Sequence, residues 1–306
     1  MKARSKLQAI SKLLNTAGIE SPDKEAEIIL RTALNINVID IYRDDPELTE
    51  KQMSLLESVV NRRSSREPLQ YIIGYVEFIG LRIQVGKGVL IPRPETELMA
   101  ELAIKKVGAI RGQPVTHHPS PVKILDLCTG SGCLALALAK EFPDAQVYGS
   151  DISEIALGYA RQNADLNGIN NVTFLQGNLL EPLYGPGHLV PALNSSLLTF
   201  DLIISNPPYI KSDDIKNLQT EIKDWEPLSA LDGGTDGLDF YRAIILIARK
   251  SLKENGILML EIGIDCADAV KDILKVSGYS HIELTKDYAG IDRIAVGEWS
   301  GKSPAA

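Results

Sequence analysis

The stretch Asp126-Leu127-Cys128-Thr129-Gly130-Ser131-Gly132 decides the fold of this chain. It closes the apolar run Val122–Leu127 and opens a helical pattern over Gly132–Glu141, so it joins a buried strand to a helix. Glycines at such a junction let the backbone pass close to a ligand, and the N–H groups at the helix start face that ligand. The stretch therefore predicts the first strand and loop of a nucleoside-binding α/β sheet.

Strands and helices alternate after this loop, as they do in a doubly wound, mostly parallel sheet. The predicted strands are Val122–Leu127, Gln146–Ser150, Val172–Leu175, Phe200–Ser205, Ile257–Ile262, His281–Leu284 and Arg293–Val296. The predicted helices are Gly132–Glu141, Ser153–Asn167, Leu238–Leu252 and Cys266–Ser277. A sheet of this kind binds its ligands at the carboxyl ends of the strands.

The chain before the sheet has a different periodicity. Apolar residues at helical spacing, a helix start at Ser21-Pro22 and a capping box at Thr49 predict a small helical bundle. Tyr71–Phe78 and Leu81–Val85 then predict a β-hairpin that turns at Gly80. We therefore predict three parts: a helical domain over residues 1–68, a hairpin linker over residues 69–90, and the sheet domain over residues 91–306.

Composition and charge restrict the class of protein. The chain has 306 residues, of which 44% are hydrophobic and 24% charged, as in a soluble globular protein of about two domains. The formal net charge of −8 argues against a protein that binds nucleic acid through phosphate contacts. Three cysteines without paired spacing predict a reducing compartment, with neither a disulfide framework nor a zinc site. We see no signal peptide and no membrane span, and so expect a cytoplasmic protein.

Two segments predict loops. Gly112–Pro121 contains the pair His117-His118, but no Cys or carboxylate lies nearby at ligand spacing. We therefore predict a solvated linker there and no metal site. Leu183–Thr199, which holds Gly185-Pro186-Gly187, predicts a loop insertion before the strand at Phe200.

Acidic residues beside the glycine loop indicate which cofactor binds. Asp151 ends the second strand, nineteen positions beyond Gly132, where an acid can accept hydrogen bonds from a ribose diol. A dinucleotide site requires a third glycine, but the loop has only Gly130 and Gly132. Asp126 is a poor neighbour for a pyrophosphate and a good one for a cationic amino group. Together these features favour S-adenosylmethionine. Asn178 is either an adenine-edge contact or an ordinary turn residue.

The tetrapeptide Asn206-Pro207-Pro208-Tyr209 follows the strand Phe200–Ser205. The Asn side chain and a proline backbone carbonyl are acceptors, the two prolines stiffen the turn, and Tyr209 offers an aromatic face. An amide nitrogen is a poor nucleophile because its lone pair is delocalised. Two acceptors on its protons favour the pyramidal nitrogen that develops during attack. Alone, the tetrapeptide is equally an ordinary Pro-rich turn. Beside a methyl donor, the tetrapeptide predicts methylation of an amide or amine nitrogen. Such a reaction requires no general base before the nitrogen attacks the methyl group.

The segment Leu90-Ile91-Pro92-Arg93-Pro94-Glu95-Thr96-Glu97 predicts a rigid turn that delivers charge into a helix start. Arg93 and Glu95 are candidates for substrate contact. Their spacing suits a helix cap and a surface ion pair equally well, so both interpretations stay open.

The chain resembles the HemK/PrmC-type family, the glutamine N5-methyltransferases that modify peptide chain release factors, over nearly its whole length. Four stretches carry the resemblance in order, and two later ones are also similar: Glu67–Gly74, Leu90–Glu97, Asp126–Gly132 and Ser205–Ile210, then Glu226–Leu231 and Gly234–Asp239. The Asn-Pro-Pro-Tyr turn also occurs in DNA and RNA amino-methyltransferases. The Pro-Arg-Pro-Glu-Thr segment and the helical arm are more specific to the release-factor group.

This resemblance implies a Rossmann-like class I S-adenosylmethionine-dependent methyltransferase sheet with a small N-terminal helical domain and a linking hairpin. It implies that residues 128–132, Asp151 and Asn206 contact the cofactor. It also implies that residues 206–209 hold the glutamine of a Gly-Gly-Gln loop in a class I release factor, and that the helical arm binds that protein. Cys128 stands where many relatives carry Gly, and Leu179 where an aromatic residue often lies beside the adenine.

Three alternatives stay open. The chain could methylate a glutamine of a ribosomal protein, or a nucleic-acid amino group, although its acidic charge disfavours the latter. It could also be a cofactor-binding translation accessory factor without turnover, although both halves of the site are intact in the sequence. We expect a release factor as the protein substrate, no direct nucleic-acid partner, no membrane partner, and a monomer.

Overall fold

The computed structural model of the protein describes residues 1–111, 121–184 and 198–301. Except for their ends, the predicted linker over residues 112–121 and the predicted insertion over residues 183–199 lie outside the described residues. Within the described ranges, no helix is long and apolar enough to cross a membrane.

The chain divides into two compact units, Met1–Tyr75 with Leu218–Trp225, and Val76–Asn217 with Glu226–Ala306. The helices of the described residues are α1 (Ala3–Thr16), α2 (Pro22–Leu34), α3 (Val38–Arg43), α4 (Glu50–Ser64), α5 (Leu69–Ile73), α6 (Pro94–Arg111), α7 (Cys133–Glu141), α8 (Glu154–Asn167), α9 (Glu181–Tyr184), α10 (Thr220–Lys223), α11 (Asp239–Ala248) and α12 (Ala267–Val276). The strands are β1 (Tyr75–Phe78), β2 (Leu81–Gln84), β3 (Lys123–Leu127), β4 (Gln146–Asp151), β5 (Val172–Gln176), β6 (Phe200–Ser205), β7 (Leu252–Glu261), β8 (Tyr279–Lys286) and β9 (Asp292–Trp299).

The first unit is built from helices that each bury one apolar face. Apolar residues of α1, α2 and α4 recur every three or four positions and therefore share a face. The buried side chains of this core are Ala3, Leu7, Ile10, Leu14, Ile19, Ala26, Ile29, Leu30, Ile41, Leu48, Leu56, Val60 and Leu69. The predicted capping box begins α4: Thr49 Oγ1 accepts from the Gln52 backbone N–H at 3.3 Å, and Gln52 Oε1 accepts from the Thr49 N–H at 2.9 Å.

The predicted hairpin is present but starts later than its sequence pattern indicates. β1 and β2 flank a turn at Ile79-Gly80, where φ is 45° and 67°. The predicted strand over Tyr71–Ile73 is wrong, because these residues form α5. Pro68 precedes this helical turn, and Gly74 ends it at φ 90° in the left-handed region, where a Cβ would be strained. The strand can begin only after that glycine.

A seven-stranded sheet in the order β5-β4-β3-β6-β7-β9-β8 forms the centre of the second unit. The five strands from β5 to β7 are parallel, and β9 is antiparallel to both of its neighbours. The predicted doubly wound, mostly parallel sheet is confirmed. The chain builds β4 and β5 on one side of β3 and then returns to place β6 on the other side. This reversal opens a crevice at the carboxyl ends of β3 and β6, where ligands bind in such sheets.

Central strands of this sheet are buried along nearly their whole length, because helices cover parallel strands on both faces. Buried polar side chains interrupt the apolar pattern near the carboxyl ends of four strands: Asp126 on β3, Ser150 on β4, Ser205 on β6 and Glu261 on β7. A buried polar group is costly unless it is hydrogen-bonded. These side chains therefore mark the edge of the sheet that carries the site.

One predicted helix is shorter than its pattern indicates. The apolar stripe Leu238–Leu252 predicted a single helix, but α11 ends at Ala248 and Leu252 already belongs to β7. Leu252 of β7 pairs with Phe200 of β6, and the Phe200 N–H donates to the Ser251 carbonyl at 2.7 Å. The helical periodicity continues to Leu252, but pairing with β6 places that residue in β7 instead of α11.

Candidate active site

The loop after β3 passes through the left-handed region of the backbone three times. Cys128, Gly130 and Gly132 have φ of 58°, 56° and 82°. A side chain in this region costs about 1–2 kcal/mol, which explains why glycine suits position 128 and why Cys128 is strained there. A Cβ on Gly130 would meet nothing within 4 Å, whereas one on Gly132 would lie 3.0 Å from the Ala160 Cβ. Gly130 therefore opens onto free space, and Gly132 allows α8 to pack closely.

Asp126 lies beneath this loop and is 1% exposed. Its Oδ2 accepts from the Thr129 hydroxyl at 2.5 Å and from the Ala135 N–H at 3.2 Å. Its Oδ1 is buried and has no hydrogen-bond partner among the described residues. Burial raises the pKa of Asp126 to about 7, and a cationic group near Oδ1 would lower that pKa again. One carboxylate oxygen thus holds the loop, and the other suits a donor brought by a ligand.

Asp151 ends β4 beside the same loop. Its Oδ2 accepts from the Gly130 N–H and its Oδ1 from the Ser153 N–H, each at 2.9 Å. Burial raises the pKa of Asp151, and these two N–H groups lower it. Each carboxylate oxygen can accept a further hydrogen bond. The carboxylate is therefore held in one orientation and can still bind the hydroxyls of a ligand.

A cavity of about 500 Å³ lies at the carboxyl ends of β3, β4 and β6. The predicted site residues that line it are Cys128, Thr129, Gly130, Ser131, Asp151, Asn178, Leu179, Asn206 and Pro208. The predicted residues that do not line it are Asp126, Gly132, Pro207, Tyr209, Arg93 and Glu95. The structure therefore brings the glycine loop and the Asn-Pro-Pro-Tyr turn to one cavity, and some residues of each motif lie outside the cavity lining.

Asn178 and Leu179 follow β5 and face the cavity. Leu179 has φ 50°, and its carbonyl accepts from the Ser150 hydroxyl at 3.0 Å. The Asn178 carbonyl accepts from the Glu181 N–H at 3.0 Å and so starts α9. Asn178 thus has a structural role in the turn as well as a position on the cavity wall, and Leu179 offers an apolar surface instead of an aromatic ring.

Three glycines allow neighbouring backbone to pack against the Asn206–Tyr209 turn. A Cβ on Gly233 would lie 2.7 Å from the Tyr209 Cα, one on Gly237 2.6 Å from the Tyr209 carbonyl oxygen, and one on Gly263 2.9 Å from Tyr209 Cδ2. The Ile210 N–H donates to the Leu231 carbonyl at 2.9 Å, which joins the turn to the segment over residues 231–237. Side chains at these glycines would displace the turn.

Two further residues of the site were not predicted from the sequence. Asn206 Nδ2 donates to Thr96 Oγ1 at 3.1 Å, and the Thr96 hydroxyl donates to Glu261 Oε2 at 2.7 Å. The Tyr209 hydroxyl donates to Glu261 Oε1 at 3.3 Å. Thr96 is 2% and Glu261 1% exposed. The sequence contains a signal for each of these two residues. Thr96 belongs to the Pro-Arg-Pro-Glu-Thr segment, and Glu261 is a lone carboxylate at the end of an apolar strand.

Arg93 and Glu95 each have a protein partner. Arg93 Nη2 donates to Glu226 Oε1 at 2.6 Å, and Glu226 is 6% exposed. Burial raises the pKa of Glu226, and the charge of Arg93 and its hydrogen bond lower it. Glu95 lies 3.9 Å from the Arg293 guanidinium. The Arg93–Glu226 pair thus ties the segment before α6 to the segment that continues through Pro227 and Leu228 along the cavity wall.

Cys128 and Cys133 border the cavity as thiols. Burial raises the pKa of both side chains far above the ordinary value of a thiol. The thiolate is the nucleophilic form of cysteine, so neither residue is activated for attack. Their environment agrees with small residues that pack the loop.

The donor set fits S-adenosylmethionine. The buried, unpartnered Oδ1 of Asp126 suits a cationic amino group, and the oriented carboxylate of Asp151 suits a ribose diol. Leu179 and Ile152 give the wall an apolar surface for a base, and Gly130 leaves space beside the loop backbone. No phosphate-binding cation stands among the residues that line the cavity in the described part of the chain.

Comparison with known proteins identifies the class. A PrmC N-terminal domain model matches residues 6–74, and a methyltransferase domain model matches residues 118–283. The solved structure of the human methyltransferase 10 domain containing protein superposes with a TM-score of 0.51 at 18% identity, covering 74% of this chain and 90% of that one. At this identity the likeness concerns the fold alone. The fold and the site define a Rossmann-like class I methyltransferase.

Two relatives identify the family. The release factor glutamine methyltransferase of Thermodesulfovibrio yellowstonii is 45% identical over 273 residues, which is 89% of this chain and 91% of that protein. The protein of the same name from Geobacter sulfurreducens is 40% identical over 281 residues, 92% of this chain and 90% of that protein. The chain belongs to the release factor glutamine methyltransferase family, which confirms the resemblance seen in its sequence. Its cofactor is S-adenosylmethionine, as predicted.

Proposed function

We propose that this protein transfers the methyl group of S-adenosylmethionine to N5 of the glutamine side chain in the Gly-Gly-Gln loop of a class I peptide chain release factor. The observation that carries the proposal is the single cavity bordered by both the glycine loop and the Asn206–Tyr209 turn. Relatives at 45% and 40% identity named release factor glutamine methyltransferase support the choice of substrate.

In this proposal the cofactor lies between the loop and the turn. The loop residues Cys128 to Gly132, together with Asn178, Leu179 and Asn206, border it. Asp151 accepts hydrogen bonds from the ribose hydroxyls, and Asp126 faces the cationic amino group from beneath the loop. The cofactor supplies a methyl group on a positively charged sulfur, from which the carbon–sulfur bond breaks with its electron pair staying on sulfur.

The turn holds the amide nitrogen that receives the methyl group. The Asn206 side-chain carbonyl and a backbone carbonyl of the proline pair accept the two amide hydrogens, and Tyr209 packs beside the planar group. As the nitrogen lone pair forms its bond to carbon, the nitrogen becomes pyramidal and positive, and both acceptors then bind it more strongly. Its proton leaves afterwards to water or to a carbonyl. Positioning supplies most of the acceleration.

The helical domain over residues 1–68 binds the release factor in this proposal, joined through the hairpin linker over residues 69–90. Arg93, whose side chain is 29% exposed, and Glu95 lie beside the site and contact the bound loop. We expect the enzyme to act as a cytoplasmic monomer, without direct nucleic-acid contact.

The test is methyl transfer from labelled S-adenosylmethionine to purified release factor. We expect label on the wild-type factor and none on a factor whose loop Gln is changed to Ala. Asn206→Ala should lower the rate about 100-fold, in the range found when one polarised contact to the reacting group is removed. Asn170→Ala, at an exposed position beyond α8, is the matched control. Equal labelling of both factors, or undiminished transfer by Asn206→Ala, would contradict the proposal.

A further inference from the structure

The hydroxyl of Thr96 determines which way the Asn206 amide faces. A threonine hydroxyl has one hydrogen to donate and two lone pairs to accept with. The hydrogen goes to Glu261, 2.7 Å away, so the hydroxyl can only accept from Asn206 at 3.1 Å. Asn206 must therefore turn Nδ2 to Thr96, which leaves Oδ1 as the acceptor for a ligand.

We infer that Thr96 and Glu261 are positioning residues, which set the direction of a hydrogen-bond relay and thereby hold Asn206 Oδ1 toward the substrate amide. The inference rests on the proposed function, because it explains how the turn presents its acceptor. Glu261 fixes the direction since an ionised carboxylate can only accept hydrogen bonds. The same carboxylate accepts from the Tyr209 hydroxyl at 3.3 Å and so holds both ends of the turn.

Protonation of Glu261 would reverse the relay. A protonated Oε2 can donate to Thr96, and because Thr96 is 2% exposed, its own hydrogen then has an acceptor only in Asn206, the other hydrogen-bond partner of this hydroxyl among the described residues. The Asn206 amide has to rotate so that Oδ1 faces Thr96, and its Nδ2 then meets the N–H groups of the substrate amide. Two donors facing each other cannot hydrogen-bond, and the acceptor needed in the transition state is lost.

The surroundings of Glu261 place this event near neutral pH. Burial raises the pKa of Glu261 to about 7. The charge of Glu95 raises it as well, while the hydrogen bonds from Thr96 and Tyr209 and the charge of Arg293 lower it. Burial raises the pKa of the neighbouring Tyr209 and Tyr241 hydroxyls and of the Cys133 thiol, so these three groups stay uncharged, whereas the charge of Arg93 also acts on Tyr209.

The first test compares Thr96→Val with Thr96→Ser. Valine keeps the shape of threonine but has no hydroxyl, so we expect kcat to fall about 10- to 100-fold, the range for a misplaced reacting group. Serine retains the hydroxyl and should recover most of kcat. Thr96 also lines the cavity, so calorimetry of S-adenosylmethionine binding is run on both variants, and the loss of kcat is compared at saturating cofactor. Wild-type kcat in Thr96→Val, or an equal loss in Thr96→Ser, would overturn the inference.

The second test is the pH dependence of kcat at saturating cofactor and release factor. The wild type should lose rate as the pH falls through about 7, because Glu261 then binds a proton. Glu261→Gln cannot titrate, so its kcat should be flat over the same range. Asp126 has a pKa of about 7 as well. A bound cationic group lowers the pKa of Asp126, so at saturating cofactor Asp126 should not titrate near pH 7. An unchanged acid limb in Glu261→Gln would contradict the relay.

A third measurement needs no turnover. In the protein without cofactor, the side-chain NH₂ resonances of Asn206, assigned by their loss in Asn206→Ser, should shift with pH around 7. The shift should be absent in Glu261→Gln and Thr96→Val. A pH-independent Asn206 signal in the wild type would overturn the relay. Absence of release-factor methylation by the wild type would instead overturn the proposed function, so the two failures are distinguishable.

Discussion

At the residue scale, the candidate site has three carboxylates that lie at the carboxyl ends of sheet strands. Asp126, Asp151 and Glu261 are buried or nearly so, and each has oxygens bonded to backbone N–H groups or hydroxyls. These bonds offset part of the cost of burial and also fix where the remaining lone pairs point. A site built this way is oriented before its ligands bind, which lowers the entropy lost on binding.

Asp151→Asn should weaken binding of S-adenosylmethionine about 10- to 100-fold. The change removes the charge and turns an NH₂ group toward the Gly130 or Ser153 N–H, and hydrogen bonds to charged groups contribute about 1.5–3 kcal/mol. Isothermal titration calorimetry measures the affinity. Asp165→Asn, at an exposed position on α8, is the control with the same chemical change. An affinity within 2-fold of wild type would exclude Asp151 from the cofactor site.

Close backbone packing holds the Asn206–Tyr209 turn in place at the element scale. The turn after β6 is bordered by the segment over residues 231–237 and by Gly263, which lies two residues beyond β7. A second element-scale feature lies in the first unit, where Arg63 contacts Glu25 at 2.6 Å and Glu221 at 3.0 Å. Arg66 contacts Glu221 at 2.6 Å. These ion pairs attach the residues around Glu221 to the helical bundle.

Gly233→Ala should damage the turn while sparing the cofactor site. The added Cβ would lie 2.7 Å from the Tyr209 Cα, and backbone atoms cannot move aside as a flexible side chain can. We expect kcat to fall about 10-fold or more, as for other small displacements of reacting groups, with the affinity for S-adenosylmethionine retained.

The control for this variant is Gly158→Ala in α8. A Cβ there meets nothing within 4 Å, and alanine in a helix interior stabilises by about 0.5–1 kcal/mol relative to glycine. Loss of activity in both variants would show that a methyl group alone is harmful, whereas unchanged kcat in Gly233→Ala would refute the packing argument.

Glu221→Ala should destabilise the first unit by about 2–3 kcal/mol. Removing one partner of a buried ion pair typically costs about 3–5 kcal/mol, and Arg63 keeps Glu25 here. Chemical denaturation followed by circular dichroism measures the difference. Glu57→Ala is the control, because Glu57 is 63% exposed beside Lys6 and such pairs contribute about 0–1 kcal/mol.

The stability contributed by Glu221 should depend on pH. Burial raises its pKa, but its hydrogen bonds to the backbone, Arg63 and Arg66 and the charge of Arg63 lower it further, so that the folded-state pKa lies below the ordinary value. A depressed carboxyl pKa means that the contribution is complete above the unfolded-state pKa and is lost as the pH falls through the folded-state pKa. The difference between wild type and Glu221→Ala should therefore be constant near neutral pH and shrink in acid. A difference that grows in acid would contradict this assignment.

The position of the site in the whole molecule follows from the strand order. Neighbouring strands β3 and β6 are separated in the chain by β4 and β5, so their carboxyl ends meet only when the sheet is assembled. The cavity at this edge is lined by residues from Gly88 to Phe240 of the second unit. Binding should therefore stabilise the folded sheet as a unit.

S-adenosylmethionine at 100 times its Kd should raise the free energy of unfolding of the second unit by about 2.7 kcal/mol. Hydrogen exchange should show the added protection at the ends of β3, β4 and β6. In Asp151→Asn the same ligand concentration should give a smaller gain. Protection confined to the helices of the first unit would place the cofactor elsewhere.

The sequence by itself determined the local elements and most chemical types of the site. Hydrophobic periodicity located the sheet strands, the glycine loop indicated a nucleoside site, and the Asn-Pro-Pro-Tyr turn indicated an amide-binding site. These signals are local, since each depends on residues close together in the chain. They failed at Tyr71–Ile73, where β-branched and aromatic residues favour a strand but Gly74 ends a helical turn.

Only the tertiary structure decided how distant residues combine. Thr96 precedes Asn206 by 110 positions and Glu261 follows Thr96 by 165, yet the three side chains form one hydrogen-bonded chain. Arg93 has a buried partner in Glu226, 133 positions away, which no local pattern could reveal. A local pattern reports propensity and periodicity, whereas hydrogen-bond partners across the sheet depend on strand order and helix packing. The sequence therefore predicted the chemical types of the site residues, whereas the fold determined how their side chains are oriented.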